Sequence, residues 1–578
     1  MTNHFRLVAV LMAFTWVGST AHAEPAPKGP ISVEIGPSKA RASCWLAPSV
    51  RRVYPATRPG SAELSLLAAR NGKVSFQVCV RNESRVGIGF DCSLVGADDL
   101  KPRVRQVGLV PLGHVTPNTD LADLEGAEHG PGLVPDPLLP ESRVLTGPDE
   151  SRSFWVSLRI PPDATPGPRT ITARLMPFGG TEADRIELPV ALEIAPLVIQ
   201  PRRDFPVIHW WRGEATWDQY QTGMFDDRWF DLTRAQLENM LDHGSDVVYV
   251  PMFFDRRETF RRPCQLLIVE ETSPGVYKFD WSRVKKFTDL CKQIGFTRFE
   301  WSHLWIYWGA ENPVRVYTAD GPDKFRMLWP PEISGFSETF LGFLRQFLPE
   351  FKAFLDREGL LETSYFHLSD EPGEGQHIAN YKKARQILRD LAPWMKVMDA
   401  LSDIEYGRQG LTDQPIPLVS SAQAYIDAKI PHWVYYCCAP RGPWINRFLD
   451  TPLTKIRASG WLFYRLGARG FLHWGFNYWH RLETETLVDP FRDASAGLYP
   501  LIPYGDPFVI YPGPDGPIDS IRWEVFAESL QDYAILQTAG ISPDDPLLAE
   551  FKTYAEFPRG EEWLQKALER VLKGTNSR

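Results

Sequence analysis

Asp370 and Glu371 stand side by side, followed by Pro372 and Gly373, with Gly375 close behind. Two carboxyl groups on one segment suit general acid catalysis: one gives a proton while its ionised neighbour steadies a developing positive charge. Along a regular strand, adjacent side chains face opposite sides, so this pair serves one pocket only where a strand ends. Pro372 is expected to hold Glu371 extended, and the glycines let the chain turn away. The alternative is one surface acid and one helix-capping acid, since a helical pattern begins near Gln376.

The other candidates are aromatic, amide and imidazole side chains at the ends of strand-like segments. Trp474 and Trp479 are read as stacking platforms, Asn477 as a hydroxyl contact, and His209, Trp211, His303 and Tyr435 as further ligand contacts. For each of the tryptophans and histidines, core packing is the competing assignment. Twenty Trp in 578 residues are more than a core needs. Indole faces also suit the C–H faces of sugars, so this lining fits a carbohydrate pocket. No H-E-x-x-H or C-x-x-C spacing occurs, and no metal or cofactor is expected. A net charge of -9 argues against nucleic acid as partner.

Positioning these residues requires two kinds of architecture. Residues 24–200 read as an antiparallel β-sandwich. Val74 to Val80, Phe154 to Ile160, Ile171 to Leu175 and Ile186 to Ile194 alternate apolar and polar, and Pro161 to Pro168 reads as a hairpin turn. Residues 116–150 read as a long loop. From 201 to 490 strands alternate with helices, eight strand candidates in all, which favours a (β/α)8 barrel. These candidates run from Val207–Trp211 to Gly470–Phe476 and include Pro417–Ala422. A long helix is expected from Ser337 to Gly359. Residues 491–578 read as a C-terminal loop and helical extension, with Arg522, Trp523 and Glu524 as scaffold.

Residues 1–23 read as a signal peptide: Arg6, an apolar run from Leu7 to Val17, then Ala21-His22-Ala23. Export to the periplasm or exterior is therefore expected, with no membrane span. Of seven cysteines, Cys79 and Cys92 are the first candidates for a disulfide. Cys437 and Cys438 are adjacent, and are read as two buried thiols.

The segment Ser369-Asp370-Glu371-Pro372 resembles the catalytic region of glycoside hydrolase family 123. So do Gly470-Phe471-Leu472-His473-Trp474-Gly475-Phe476-Asn477-Tyr478-Trp479 and Ser520-Ile521-Arg522-Trp523-Glu524. The resemblance implies a sandwich joined to a (β/α)8 barrel, and an enzyme of β-N-acetylgalactosaminidase type acting on a terminal β-linked N-acetylhexosamine. It also implies substrate-assisted catalysis. Asp370 would hold the acetamido N–H and Glu371 protonate the leaving oxygen. Tyr435 would orient the acetamide carbonyl, with Tyr436 and Tyr425 as alternatives. A glycosidase acting on a sugar without an acetamido group, and a non-catalytic carbohydrate-binding protein, stay open from sequence.

Overall fold

Alternating apolar residues build the N-terminal strands and send one face of each into a shared core. Phe76, Val78 and Val80 of Gly72–Asn82 and Phe154, Val156 and Leu158 of Ser151–Ile160 meet Ile171, Ala173, Leu188 and Val190 from the opposite sheet. The computed structural model describes residues 29–574 except 36–38, 255, 257–261, 322–323 and 374. Residues 1–23, read from sequence as a signal peptide, lie outside the described residues.

Six strands form one sheet of the sandwich and five the other. Leu64–Arg70 pairs with Ile186–Val198 in parallel, against the expected antiparallel arrangement. Pro161 to Pro168 does not close a hairpin. Ser151–Ile160 belongs to the six-stranded sheet and Gly167–Pro177 to the five-stranded one, so this joint crosses between layers. Residues 116–150 also hold two strands, Gly132–Leu139 and Arg143–Thr146, where a loop was expected. Cys79 and Cys92 pack in different apolar clusters, and all seven cysteines are free thiols.

After Pro201 the period changes, and among the described residues eight short parallel strands follow, with three antiparallel hairpins beside them. The eight are β1 (Val207–His209), β2 (Val247–Val250), β3 (Arg298–Trp301), β4 (Ser364–Phe366), β5 (Met398–Ala400), β6 (Gln414–Ile416), β7 (Val434–Tyr435) and β8 (Phe471–His473). One six-stranded parallel sheet has the order β4-β3-β2-β1-β8-β7, and β5 and β6 form a separate parallel pair. Single parallel bridges, Phe366 to Val397 and Leu418 to Tyr435, join the pair to the larger sheet in place of continuous ladders. The ladders therefore stop short of the continuous eight-stranded ring that the β-then-α repeat predicts. Proline supplies a reason. Pro415 and Pro417 have no N–H to give β7, so they only accept, from Trp433 N (3.0 Å) and Tyr435 N (3.2 Å), and the one bond returned comes from Val419 N to Tyr435 O (2.9 Å). The strand expected over Pro417–Ala422 lies earlier, at β6, and Ala422–Asp427 is helical.

Helices cover the outside of these strands. The helix Glu338–Glu358 starts where Ser337 Oγ accepts from Phe340 N and ends at Gly359, whose φ of 66° suits glycine. Pro349 stands inside its unbroken span. Helices Leu453–Arg465 and Ile521–Thr538 approach closely because Gly460 has no side chain. A Cβ there would lie 1.8 Å from the Ser529 carbonyl oxygen.

Buried ion pairs fasten the sandwich to the second region. Asp136, on strand Gly132–Leu139, faces Arg522 with Oδ1 and Oδ2 each 3.0 Å from a guanidinium nitrogen, and Tyr511 donates to the same carboxylate at 2.6 Å. Arg522 also donates to the carbonyls of Arg447 and Gly505. Arg105 reaches Asp519 and Glu524, both at 2.5 Å.

Candidate active site

Every second residue along the parallel strands points inward. Ile208 and Trp210, Val247 and Tyr249, Met398 and Ala400, Trp433 and Tyr435, and Leu472 form one apolar cluster between the strands. At the C-terminal strand ends this column opens into a cleft of about 180 Å³. Asp370, Glu371, Trp210, Trp308, Tyr435 and Trp474 are among its walls. A larger cavity of about 620 Å³ lies between strand Leu64–Arg70 and helix Glu561–Lys573, and shares no lining residue with the cleft. Its size is not a reason to place chemistry there, because its walls lack the paired acids.

The acidic pair follows β4. Beyond Phe366 the chain is held by its neighbour after β3: Trp305 N donates to Leu368 O (2.9 Å), Ser369 Oγ to Ile306 O (2.8 Å) and Trp308 N to Asp370 O (2.8 Å). Glu371 then takes φ 44°, the left-handed region, and not the extended form expected before proline. This reversal is how two neighbouring acids come to line one cleft. Such a backbone costs about 1–3 kcal/mol and persists where its surroundings over-determine it. Here Tyr435 donates to Glu371 Oε1 at 2.6 Å and Trp308 Nε1 lies 3.4 Å from Oε2. Burial, then the adjacent Glu371 carboxylate, holds the Tyr435 phenol well above its usual pKa, so it stays a proton donor.

Behind the pair lies a buried charged chain. His367 Nε2 meets Glu300 Oε1 at 2.5 Å and its Nδ1 meets Asp399 Oδ1 at 3.0 Å. Asp399 also accepts from Leu368 N and from Tyr381 at 2.6 Å, while Trp210 Nε1 donates to Glu300 at 2.9 Å. Burial alone would lower the His367 pKa, but the Glu300 and Asp399 carboxylates outweigh it and push it up to about 10. A group whose folded pKa stands above its unfolded value stabilises fully below the latter, and this contribution fades as pH climbs to the folded value. Conformational stability should therefore fall between the ordinary histidine value of 6.5 and about 10. Denaturant midpoints measured across that range check it, and a midpoint that rises throughout would refute the charged triad.

The structure places the sequence candidates unevenly. Asp370, Glu371, Tyr435 and Trp474 line the cleft. Trp474 is half-buried, and its Nε1 donates to Asp506 Oδ2 at 2.9 Å. Asp506 is fully buried, which pushes its pKa up to about 7. His303 stacks on His367 at 4.3 Å and meets the Trp210 ring edge-on, one layer behind the wall. Four candidates turn away. His209 bonds Ser245 Oγ and Arg447, and Trp211 Nε1 donates to Gln236. Both have the outward parity of β1, where Trp210 points in. Asn477 clamps the Arg212 backbone through N and O, at 2.7 and 3.0 Å. Trp479 is buried with its N–H on Ile510 O. Of the alternative phenols, Tyr425 bonds the Leu401 and Asp403 carbonyls, and Tyr436 packs on Phe471.

Sequence reading missed Trp308 and Tyr307. Trp308 is 45% exposed at the cleft mouth, and Tyr307 donates to Glu483 Oε1 at 2.8 Å across it. The aromatic run Trp305-Ile306-Tyr307-Trp308 before Gly309 was the available signal. Arg212 and Arg256 add positive charge to the wall, the latter 3.3 Å from Glu214.

Among the described residues, two groups bring three potential metal-ligand atoms within 4.8 Å: His303, His367 and Asp399, and His243, Asp519 and Glu524. In each, protein donors already occupy the carboxylates: Leu368 N, Tyr381 and His367 on Asp399, Asn239 and Arg105 on Asp519.

The chain aligns over 93% of its length with a family 123 glycoside hydrolase from Clostridium perfringens, covering 97% of that chain at 14% identity with a TM-score of 0.71. A family 2 β-galacturonidase from Eisenbergiella tayi aligns over 84% of this chain and 72% of its own, at 11% identity and a TM-score of 0.30. No curated protein matches the chain. Residues 210–539, more than half of the sequence, match the catalytic-domain model of glycoside hydrolase 123 and span the acidic pair and the Ile521–Thr538 helix. The chain belongs to glycoside hydrolase family 123 and is a glycoside hydrolase.

Proposed function

We propose that this enzyme releases a terminal β-linked N-acetylgalactosamine by a retaining, substrate-assisted route. The observation that carries the proposal is the left-handed turn at Glu371, which brings two adjacent carboxyls to one wall of the cleft. Retaining enzymes that use a protein nucleophile place their carboxyls about 5–5.5 Å apart on either side of the bond. An adjacent pair leaves the opposite side to the sugar's own acetamide.

In this reading the acetamide oxygen attacks C1 as the glycosidic bond breaks, and Glu371 gives its proton to the departing oxygen. Asp370 accepts the acetamido N–H and steadies the positive charge on the oxazolinium ring. Water then attacks C1 from the vacated side, with the Glu371 carboxylate taking its proton, and the ring opens to the acetamide with configuration retained. The Tyr435 hydroxyl, which donates its one proton to Glu371 in the free enzyme, turns that proton to the acetamide carbonyl when the sugar binds. Trp474, its ring fixed through Asp506, and Trp210 offer faces to the sugar, while Trp308 at the mouth meets the leaving group. A cleft of about 180 Å³ suits one sugar residue with the rest of the glycan outside.

The two parallel sheets and the bridges between them are read as an irregular (β/α)8 barrel, with active residues at its C-terminal face as that fold requires. The N-terminal apolar segment directs export, which brings the enzyme to extracellular glycans. Glycolipid glycans, hydrolysed by the Clostridium perfringens relative, are a substrate class to try first. No helix among the described residues is long and apolar enough to cross a membrane.

A panel of aryl β-glycosides tests the proposal. Aryl N-acetyl-β-galactosaminide should be cleaved with the β-anomer appearing first by NMR, and the matching galactoside left essentially intact. Equal cleavage of the galactoside, or initial α-product, would sink it.

A further inference from the structure

Beyond β7 the cleft wall is made by two adjacent thiols. Cys437 and Cys438 both line it, half-buried, beside Glu371, Tyr435 and Trp474, and their sulfurs are 3.8 Å apart. The backbone around them is held in place. Cys437 N donates to Ala439 O at 2.8 Å, Asn446 Nδ2 donates to Cys437 O at 2.8 Å, and Arg441 Nε donates to Cys438 O at 2.9 Å. The two side chains therefore project on the same side, into the space a glycan would occupy. The expectation of two buried thiols is corrected by this exposure.

We propose that Cys437 and Cys438 form a reversible thiol–disulfide site inside the substrate cleft, closed by a low-molecular-weight disulfide, and that closure slows glycan turnover. The turnover part rests on the function proposed above; the chemistry of closure does not. A disulfide needs its sulfurs about 2.05 Å apart, so rotation of the two side chains covers the difference. Neighbouring Cα atoms are about 3.8 Å apart, below the usual 4.4–6.8 Å for bridged cysteines. The ring is therefore strained, and strained, exposed disulfides are the easily reduced ones that act as switches.

Closure is an exchange. The Cys438 thiolate attacks one sulfur of the external disulfide, breaks its S–S bond and expels one thiolate, which takes up a proton. Cys437 then loses its proton to solvent and attacks Cys438 Sγ, expelling the second thiolate. Two protein thiols are oxidised and one external disulfide is reduced to two thiols. Hydrogen bonding to Cys438, then burial, holds the Cys437 thiol well above its usual pKa, so the first attack is assigned to Cys438 and Cys437 reacts once that hydrogen bond is broken. The ring twists the peptide between two pinned carbonyls. Tyr435, whose hydroxyl positions Glu371, lies only two residues upstream.

The test uses the reduced full-length enzyme, incubated with oxidised glutathione, then alkylated under denaturing conditions and mapped by peptide mass. The peptide bearing Cys437 and Cys438 is expected to lose the mass of two hydrogens, carry no glutathione and escape alkylation. Dithiothreitol should restore both thiols. Turnover of an aryl N-acetyl-β-galactosaminide should drop several-fold on closure and recover on reduction, while Cys438→Ser shows no response to the oxidant. Two alkylated cysteines after oxidation, or a stable glutathione adduct in place of the ring, would overturn the site. A closed ring with undiminished turnover would overturn its effect on the cleft, whichever glycan proves to be the substrate.

Discussion

Glu371→Gln is expected to lower turnover of alkyl N-acetyl-β-galactosaminides by about 10²–10⁴-fold, the usual contribution of general acid catalysis. Activated aryl substrates should lose far less, because their leaving groups depart without a proton. Asp370→Asn should slow both substrate types alike. Ring closure by the acetamide accompanies departure whatever the leaving group, and the amide cannot offset the oxazolinium charge. A thiazoline that mimics the cyclic intermediate should bind Asp370→Asn more weakly than it binds Glu371→Gln. Steady-state kinetics on the paired substrates decides the matter. Identical leaving-group dependence in the two variants would dissolve these roles, and full activity in either would move the site elsewhere.

The second large effect concerns stability. Asp136→Ala is expected to cost about 3–5 kcal/mol, because it leaves the Arg522 guanidinium charged and buried without its partner. Both side chains are fully buried, so water offers little screening. Arg522→Met combined with Asp136→Ala should recover part of the loss, since no isolated charge then remains. Urea denaturation of the wild-type protein and the two variants measures it. A loss of only about 0–1 kcal/mol for Asp136→Ala, the range of exposed pairs, would show that this contact is not the fastening it resembles. Because Asp136 belongs to the sandwich and Arg522 to the helix after β8, the two regions should unfold together.

The acidic pair and the order of domains were readable because they rest on local signals: a dipeptide before proline, a change of period near Pro201. Which face each wall residue takes was not. The strands β1, β7 and β8 are buried on both sides, so apolar residues occupy both parities and alternation carries no information. Trp210 and Trp211 look equivalent in sequence, yet one meets Glu300 inside and the other Gln236 outside. Tyr435 and Tyr436 divide in the same way. Asn477 and Trp479 stand beyond β8, where no strand period applies, and their partners, Arg212 and Ile510, are far off in sequence. The crossing at Pro161 to Pro168 was misread for a related reason: turn chemistry shows that the chain bends but not which sheet receives it.

At position 371 what the backbone favours and what the reaction needs are opposed. A φ of 44° suits glycine, and any other residue gives up roughly 1–2 kcal/mol there. Selection for thermal stability alone would thus replace Glu371 with glycine, and would then have no reason to keep Tyr435 and Trp308 where they hold it. In the proposed mechanism the turn that lets two acids share a cleft is a standing cost offset only by catalysis, so a descendant freed from its substrate would be expected to lose this residue early and keep the surrounding fold.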